Sequence, residues 1–206
     1  MARTDARRWR VAAAGLVTAL ALTGCAKAET SDEGELGGVE LATPWQAADV
    51  ALTDTDGNSF SLASGTSAPL TLVFFGYSKC PDICQMVMGN ITNALTRLGD
   101  EEVDVEVVFV TTDPARDTEK ALRTYLDRFD PSFIGLTGSI ADLEQAAASF
   151  HVTFEIEDKL PSGGYDVTHG TQVFALTPGG EIGRYWSQDV KPQQLAQDII
   201  LLTEDA

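Results

Sequence analysis

Pro69-Leu-Thr-Leu-Val-Phe-Phe75-Gly-Tyr-Ser-Lys-Cys80-Pro-Asp-Ile-Cys84-Gln85 is the stretch on which the fold turns. Its first seven residues are almost continuously apolar, the pattern of a strand covered on both faces. Asp82, followed three residues later by Gln85, has the form of a capping box, so a helix is expected to start at Asp82 and run from about Ile83 to Leu98. A buried strand that leads through a short turn into a helix is half of a layered α/β unit. The two cysteines lie in that turn, with Cys84 in the first helical turn and Cys80 just before it.

Outward from this unit, Val105-Glu-Val-Val-Phe-Val-Thr111 reads as a second buried strand, and Thr118 to Phe129 has helical spacing that ends before Pro131. A short strand (Phe133 to Leu136), an Ala-rich helix (Ile140 to Phe150) and an alternating strand (Val152 to Ile156) follow. After a loop from Glu157 to Gly170 come Thr171 to Leu176 and Glu181 to Trp186, a hairpin turned by Pro178-Gly179-Gly180, and a last helix from about Pro192 to Leu202. Upstream, Val50 to Thr53 and Ser59 to Leu62 flank Asp54-Thr-Asp-Gly-Asn58, an N-terminal hairpin around an Asp-Gly turn. Asp54, Asp56 and Asn58 have the spacing of a calcium loop, but Gly65 stands where its twelfth-position acid belongs, which favours the turn. The order predicts a thioredoxin-like α/β domain: a central mixed sheet flanked by helices, with an N-terminal hairpin and insertions.

The N-terminus has a different logic. Arg3, Arg7, Arg8 and Arg10 precede the apolar run Val11 to Thr23 and the small residues up to Cys25, the layout of an export signal. Thirteen helical residues reach only ~20 Å against a ~30 Å hydrocarbon core, too short for a spanning anchor. Leu22-Thr-Gly-Cys25 resembles the bacterial lipobox. The expected organisation is a signal peptide over 1–24, a lipidated Cys25 with a flexible tether over 25–46, and a folded domain over 47–206, exported and anchored to the outer face of the bacterial cytoplasmic membrane.

The full sequence has 206 residues, 14 basic and 31 acidic, for a net charge of −17, and removal of residues 1–24 makes it −20. Such a body cannot displace counterions from a phosphate backbone, so nucleic acid is excluded as a partner. It favours a partner with a basic docking face. Of the three cysteines, assignment of Cys25 to lipid leaves one pair, Cys80 and Cys84.

Both sulfurs of that pair can face the free N–H groups at a helix N-terminus, which favours thiolate. Three residues separate them, against two in a tight redox motif, so they can close a disulfide or spread around a metal. Structural zinc needs four ligands, and the chain adds only two histidines. Two thiolates and one imidazole suit three-coordinate Cu(I), or a tetragonal Cu(II) site with one ligand more. His169, in Asp166-Val-Thr-His-Gly-Thr171, can project over the helix start, though a loop histidine of no consequence has the same local sequence. His151 follows a helix end, where an imidazole suits the dipole, and is read as structural. Asp113 could orient His169 or Lys79 or meet a partner, while Pro114 and the capping tendency of Asp117 offer a structural account of that loop. Met86 and Met88 diverge on the helix and are read as core packing.

Leu52-Thr-Asp-Thr-Asp-Gly57, Phe75-Gly-Tyr-Ser-Lys-Cys-Pro-Asp-Ile-Cys84, Thr112-Asp-Pro-Ala-Arg-Asp-Thr118 and His169 ahead of the last hairpin together resemble the Sco/SenC family, over about residues 47–204. That family comprises thioredoxin-fold copper chaperones of cytochrome c oxidase assembly. The resemblance implies copper ligation by Cys80, Cys84 and His169, with Asp113 behind them or at a partner contact. It also implies delivery to the dinuclear copper centre of cytochrome c oxidase subunit II, with other copper chaperones as further partners, by ligand exchange and not enzymatic catalysis. Two alternatives remain: a thiol-disulfide oxidoreductase that reduces the target's cysteines through Cys80 and Cys84, and a redox or copper sensor. Gln85 stands where the family commonly has Pro.

Overall fold

Seven consecutive residues with no exposed side chain can only be a strand with protein on both faces, and Leu70–Gly76 is such a strand in the computed structural model. The model describes residues 36–99, 103–159 and 164–204. Residues 1–35, and with them the expected signal peptide and Cys25, lie outside the described residues.

The strands in chain order are β1 (Val39–Gln46), β2 (Leu52–Asp54), β3 (Ser59–Phe60), β4 (Leu70–Gly76), β5 (Val105–Thr111), β6 (Ile134–Thr137), β7 (Phe154–Lys159), β8 (Tyr165–His169), β9 (Val173–Leu176) and β10 (Glu181–Trp186). The helices are α1 (Ile83–Leu98), α2 (Glu119–Leu126), α3 (Ile140–Ser149) and α4 (Pro192–Glu204). Eight strands form one mixed sheet in the order β1-β10-β9-β4-β5-β6-β2-β3. At its centre β4, β5 and β6 are parallel, and β9 pairs antiparallel with β4. Leu72 and Phe74 of β4 face a core shared with α1, α2 and α4, while Val73 and Phe75 face one shared with α3. This is the mixed sheet flanked by helices that the sequence predicts, with the β2–β3 hairpin at one edge. Asp54 closes that hairpin's turn by accepting from the N–H groups of Asp56 and Asn58 at 2.9 and 2.8 Å.

Two expectations require correction. Residues 39–46, read as tether, form edge strand β1, so ordered structure begins well before residue 47. Val39, Leu41 and Trp45 alternate along β1, but Thr43 and Pro44 interrupt the run and the register shifts between Glu40 and Trp45; the strand is held by backbone pairing to β10, by Leu41 and Trp45 against the core, and by Arg184, which donates to Gly37 O and Glu40. The loop expected over 157–170 likewise contains a strand. β7 continues to Lys159 and pairs antiparallel with β8, in a two-stranded ribbon outside the main sheet. The strand expected over Val152 to Ile156 supplies the first half of β7, and the exposed acids Glu157 and Asp158 hide its continuation in the sequence.

The geometry at the ends of the helices also differs from expectation in two places. Asp82 occupies the N-cap of α1, but its side chain makes no capping hydrogen bond, and Thr118, not Asp117, caps α2 by accepting from Ala121 N. His151 follows α3 as expected and takes φ 55°, the left-handed C′ position that usually holds glycine. Its N–H and that of Val152 close the helix end on Ala148 O and Ala147 O, each at 3.0 Å, and its ring lies 4.2 Å from that of Trp45. Met88 is in the core as expected, whereas Met86 is exposed.

Candidate metal and thiol centre

The C-terminal end of β4 delivers the chain to the site, and its last residue must be small. A Cβ on Gly76 would stand 2.9 Å from Cys84 Sγ, so the glycine makes the room that the second sulfur fills. Cys84 is fully buried in the first turn of α1, and Cys80 sits just before the helix with little exposure. The Cys84 N–H points at Cys80 Sγ at 3.4 Å, so the amide and the helix dipole act on the first sulfur. Both cysteines are free thiols.

The third group arrives from a different element. His169 ends β8, and its Nε2 lies 3.4 Å from Cys84 Sγ. Its Nδ1–H donates to Gly170 O at 2.7 Å, which fixes the tautomer and leaves the Nε2 lone pair directed at the sulfurs. Tyr77 and Phe74 stand edge-on to the imidazole, with ring centroids at 5.8 and 6.1 Å. The ligand atoms of Cys80, Cys84 and His169 all lie within 4.8 Å of one another. Among the described residues no other cluster of three such groups occurs, and His151 is apart from this one.

The two thiols differ in acidity. Cys80 is drawn down to about 4, chiefly because the Cys84 S–H donates to it, with help from backbone amides, against the cost of burial. Cys84 is pushed far above the ordinary thiol range, because its proton is held by Cys80 and because it is buried. One thiolate and one held proton are thus the resting state of the pair.

Asp113 is placed otherwise than expected. It is buried and touches neither His169 nor Lys79; it accepts from Tyr165 Oη at 2.8 Å and forms an ion pair with Arg116. Arg116 also donates to Tyr165 O at 2.9 Å and lies 3.8 Å over the Tyr165 ring, so this pair grips β8 at one residue by its carbonyl, its ring and its hydroxyl. Asp117, from the same loop, accepts from Ser78 N at 2.9 Å and from the hydroxyls of Ser78 and Thr111. One loop therefore ties down both the cysteine turn and the histidine strand. Arg116 and Tyr165 were not singled out from the sequence. Their signal is the alternation of Tyr165, Val167 and His169 along one strand, hidden by the reading of that segment as a loop.

Two measurements test this geometry. A Cys80 thiol held near 4 is already ionised at neutral pH, so its alkylation by iodoacetamide is expected to stay flat from about pH 6 to 8, where an ordinary thiol gains roughly tenfold per unit. A tenfold rise would show that Cys84 does not hold the proton. Arg116→Ala is expected to raise amide hydrogen exchange at Val167 and Thr168 at least about tenfold, because β8 loses its grip on the body, and Arg116→Lys should not restore protection without the planar fork. Exchange equal to wild type would show that the ribbon is held by packing and by the Tyr77 hydroxyl, which accepts from Val167 N at 3.4 Å, and not by Arg116.

A family model described as SCO1/SenC matches residues 43–204. A SCO2-like protein of Rickettsia conorii is 31% identical over 152 residues, 72% of this chain and 73% of its own length. The mitochondrial SCO2 protein of Saccharomyces cerevisiae is 29% identical over 169 residues, which cover 79% of this chain and 54% of the yeast protein. Among solved structures, copper-bound ScoI of Arabidopsis thaliana is similar at 25% identity and a TM-score of 0.70, covering 78% of this chain and 99% of that one. Copper-bound ScoI of Bradyrhizobium japonicum gives 27% identity and a TM-score of 0.67, covering 76% and 99%. With a family match over most of its length, this chain belongs to the SCO1/SenC family.

Proposed function

We propose that this protein is a copper metallochaperone that carries its cargo on Cys80, Cys84 and His169 and passes it to the dinuclear copper centre of cytochrome c oxidase subunit II. The observation that carries the reading is the convergence of two thiol sulfurs and one imidazole nitrogen within 4.8 Å, with the imidazole lone pair already directed inward. Two soft sulfurs and one nitrogen suit copper, and a structural zinc set would lack a ligand. The copper-bound relatives named above support the same reading. Release proceeds by ligand exchange: a thiolate or imidazole of the target joins the copper while one of the three donors leaves. The site opens beside Cys80, where Pro81, Asp82, Ile83, Val167, Thr168 and Thr171 line a shallow mouth.

A second reading, reduction of the target's cysteines, is favoured by the split between the thiols. A low-pKa thiolate on Cys80 and a protonated Cys84 behind it suit attack on a disulfide followed by resolution. We also propose a lipid anchor on Cys25, which would keep the domain at the membrane surface.

Copper titration of the apo domain separates the first two readings. His169→Ala is expected to weaken copper binding by about tenfold or more and to alter the copper spectrum, while disulfide exchange by the cysteine pair continues. Unchanged affinity and spectrum would remove the three-ligand carrier and leave the thiol chemistry. For the anchor, mass spectrometry of the membrane fraction is expected to find Cys25 as a lipidated N-terminus, and an unmodified Cys25 would end that reading.

A further inference from the structure

Carboxylates outnumber cations 22 to nine among the described residues, so any surface without an acid is out of character for this body. One such surface adjoins the site. An open groove of about 460 Å³ runs from Ser78 and Lys79 across the outer face of α2, lined by Lys120, Thr124, Tyr125 and Arg128 among others, and no carboxylate residue lines it. Asp117, Glu119 and Asp127, each next in sequence to a lining residue, are absent from its walls.

The cations here are unusual in a second respect. Arg116, Arg123 and Arg184 are engaged in ion pairs. Of the six other basic residues described, none has a carboxylate of the described residues within ion-pair distance, and half of them, Lys79, Lys120 and Arg128, line this one groove. Arg128 is also held in place: its Nε donates to Tyr125 O at 3.3 Å and its guanidinium lies 4.7 Å over the Tyr125 ring. Tyr125 is 3% exposed, and its hydroxyl is buried without a hydrogen-bond partner. Tyr125 and Ala121 add apolar surface, and the three cations supply charge around it.

From this we infer that the groove is a docking surface for an acidic peptide segment of the protein that exchanges metal or thiol with the site. Charge complementarity selects the occupant. The position selects its purpose: Lys79 belongs both to the groove and to the cysteine turn, so a segment seated there holds its own protein beside Cys80, the less buried sulfur. The inference deepens the proposed exchange function. It also reverses, at close range, the expectation that the overall charge favours a basic partner. The long-range field of the body repels an acidic segment, and only the groove can attract one.

Thiol–disulfide exchange with synthetic peptides tests the docking without any metal, so its outcome is independent of the copper reading. The probes are two peptides of equal length, one Glu-rich and one with Gln in place of each Glu, each with a cysteine activated as a mixed disulfide with an aromatic thiol. The Cys80 thiolate attacks the peptide sulfur, the peptide's S–S bond breaks, and the aromatic thiolate leaves with the electron pair. In wild type the Glu-rich peptide is expected to react about tenfold faster than the Gln-rich one at low salt, with the two rates converging at about 0.5 M salt. Lys120→Glu with Arg128→Glu should abolish that preference and leave the Gln-rich rate unchanged, which also reports an intact thiol. The matched control Arg97→Glu with Lys191→Glu, equal in net charge, should keep the preference. A Glu-rich peptide that reacts no faster than the neutral one in wild type, or equal losses in the groove and control variants, would overturn the inference. Should the double reversal slow both peptides, Lys120→Gln with Arg128→Gln decides: it must lower the preference for the acidic peptide, and an unaltered preference would be contrary.

Discussion

The distance between Cys84 and His169 is set by side chains, because among the described residues no backbone hydrogen bond joins the β7–β8 ribbon to the eight-stranded sheet. Two sulfurs belong to one sheet and its helix, and the imidazole belongs to a ribbon lying over them. What spans the gap is the loop after β5, together with Tyr77, whose hydroxyl accepts from Val167 N at 3.4 Å. Asp117 holds the cysteine turn through Ser78, and Asp113 and Arg116 hold β8 through Tyr165. A buried carboxylate is costly unless its oxygens are satisfied, and both of these are: Asp117 by three donors and Asp113 by a guanidinium and a phenol. Removal of either would leave uncompensated donors in the interior. The precision of a three-atom site therefore depends on residues that touch none of its three ligand atoms.

This division also explains what could be read from the sequence. β4, α1 and β5 were legible because their cores impose strong periodicities: a double-sided apolar run over 70–75, and a helical face at Val87, Met88, Ile91, Ala94 and Leu98. Cys80 and Cys84 were legible because a cysteine pair at a strand-to-helix turn has few other uses in so cysteine-poor a chain. β1 is not, since its alternation of Val39, Leu41 and Trp45 is interrupted at Thr43 and Pro44. Of the ribbon only the start of β7 is legible, since its continuation is acidic and exposed and only one face of β8 enters the core. His169 was consequently placed near the site by its position in the chain, while the elements that deliver it, Tyr165 and Arg116, were invisible as a unit. Asp113 is legible as a candidate, but its pairing with Tyr165 and Arg116 is not. A carboxylate that can reach several groups does not reveal its choice in one dimension.

Charge behaves in a similar way at two scales. Net charge is a property of composition and was fixed before any folding; it describes the field a partner meets at a distance. The groove beside Cys80 is a property of placement. It exists because Lys120 and Arg128, eight residues apart on α2 and its extension, share a face with Lys79 from a loop some forty residues earlier. The same acidic chain can therefore repel a partner on most of its surface and accept it on one, which restricts productive encounters to the orientation that presents Cys80.

The proton between the sulfurs links the two chemistries that the site could perform. At rest, Cys84 donates to the Cys80 thiolate, and Nε2 of His169 lies 3.4 Å from Cys84 Sγ on its other side. A soft metal that uses all three donors must displace that proton, so metal and proton compete for the same place and the metal-free pair is not a simple dithiolate. Disulfide exchange uses the proton differently: Cys80 attacks as it stands, and Cys84 must lose its proton before it can resolve the mixed disulfide. The thiolate that leaves the target's disulfide can take that proton, so this step does not need the imidazole. The two chemistries thus share both sulfurs and differ in whether a metal or a partner sulfur meets them, and only the first calls on the third donor.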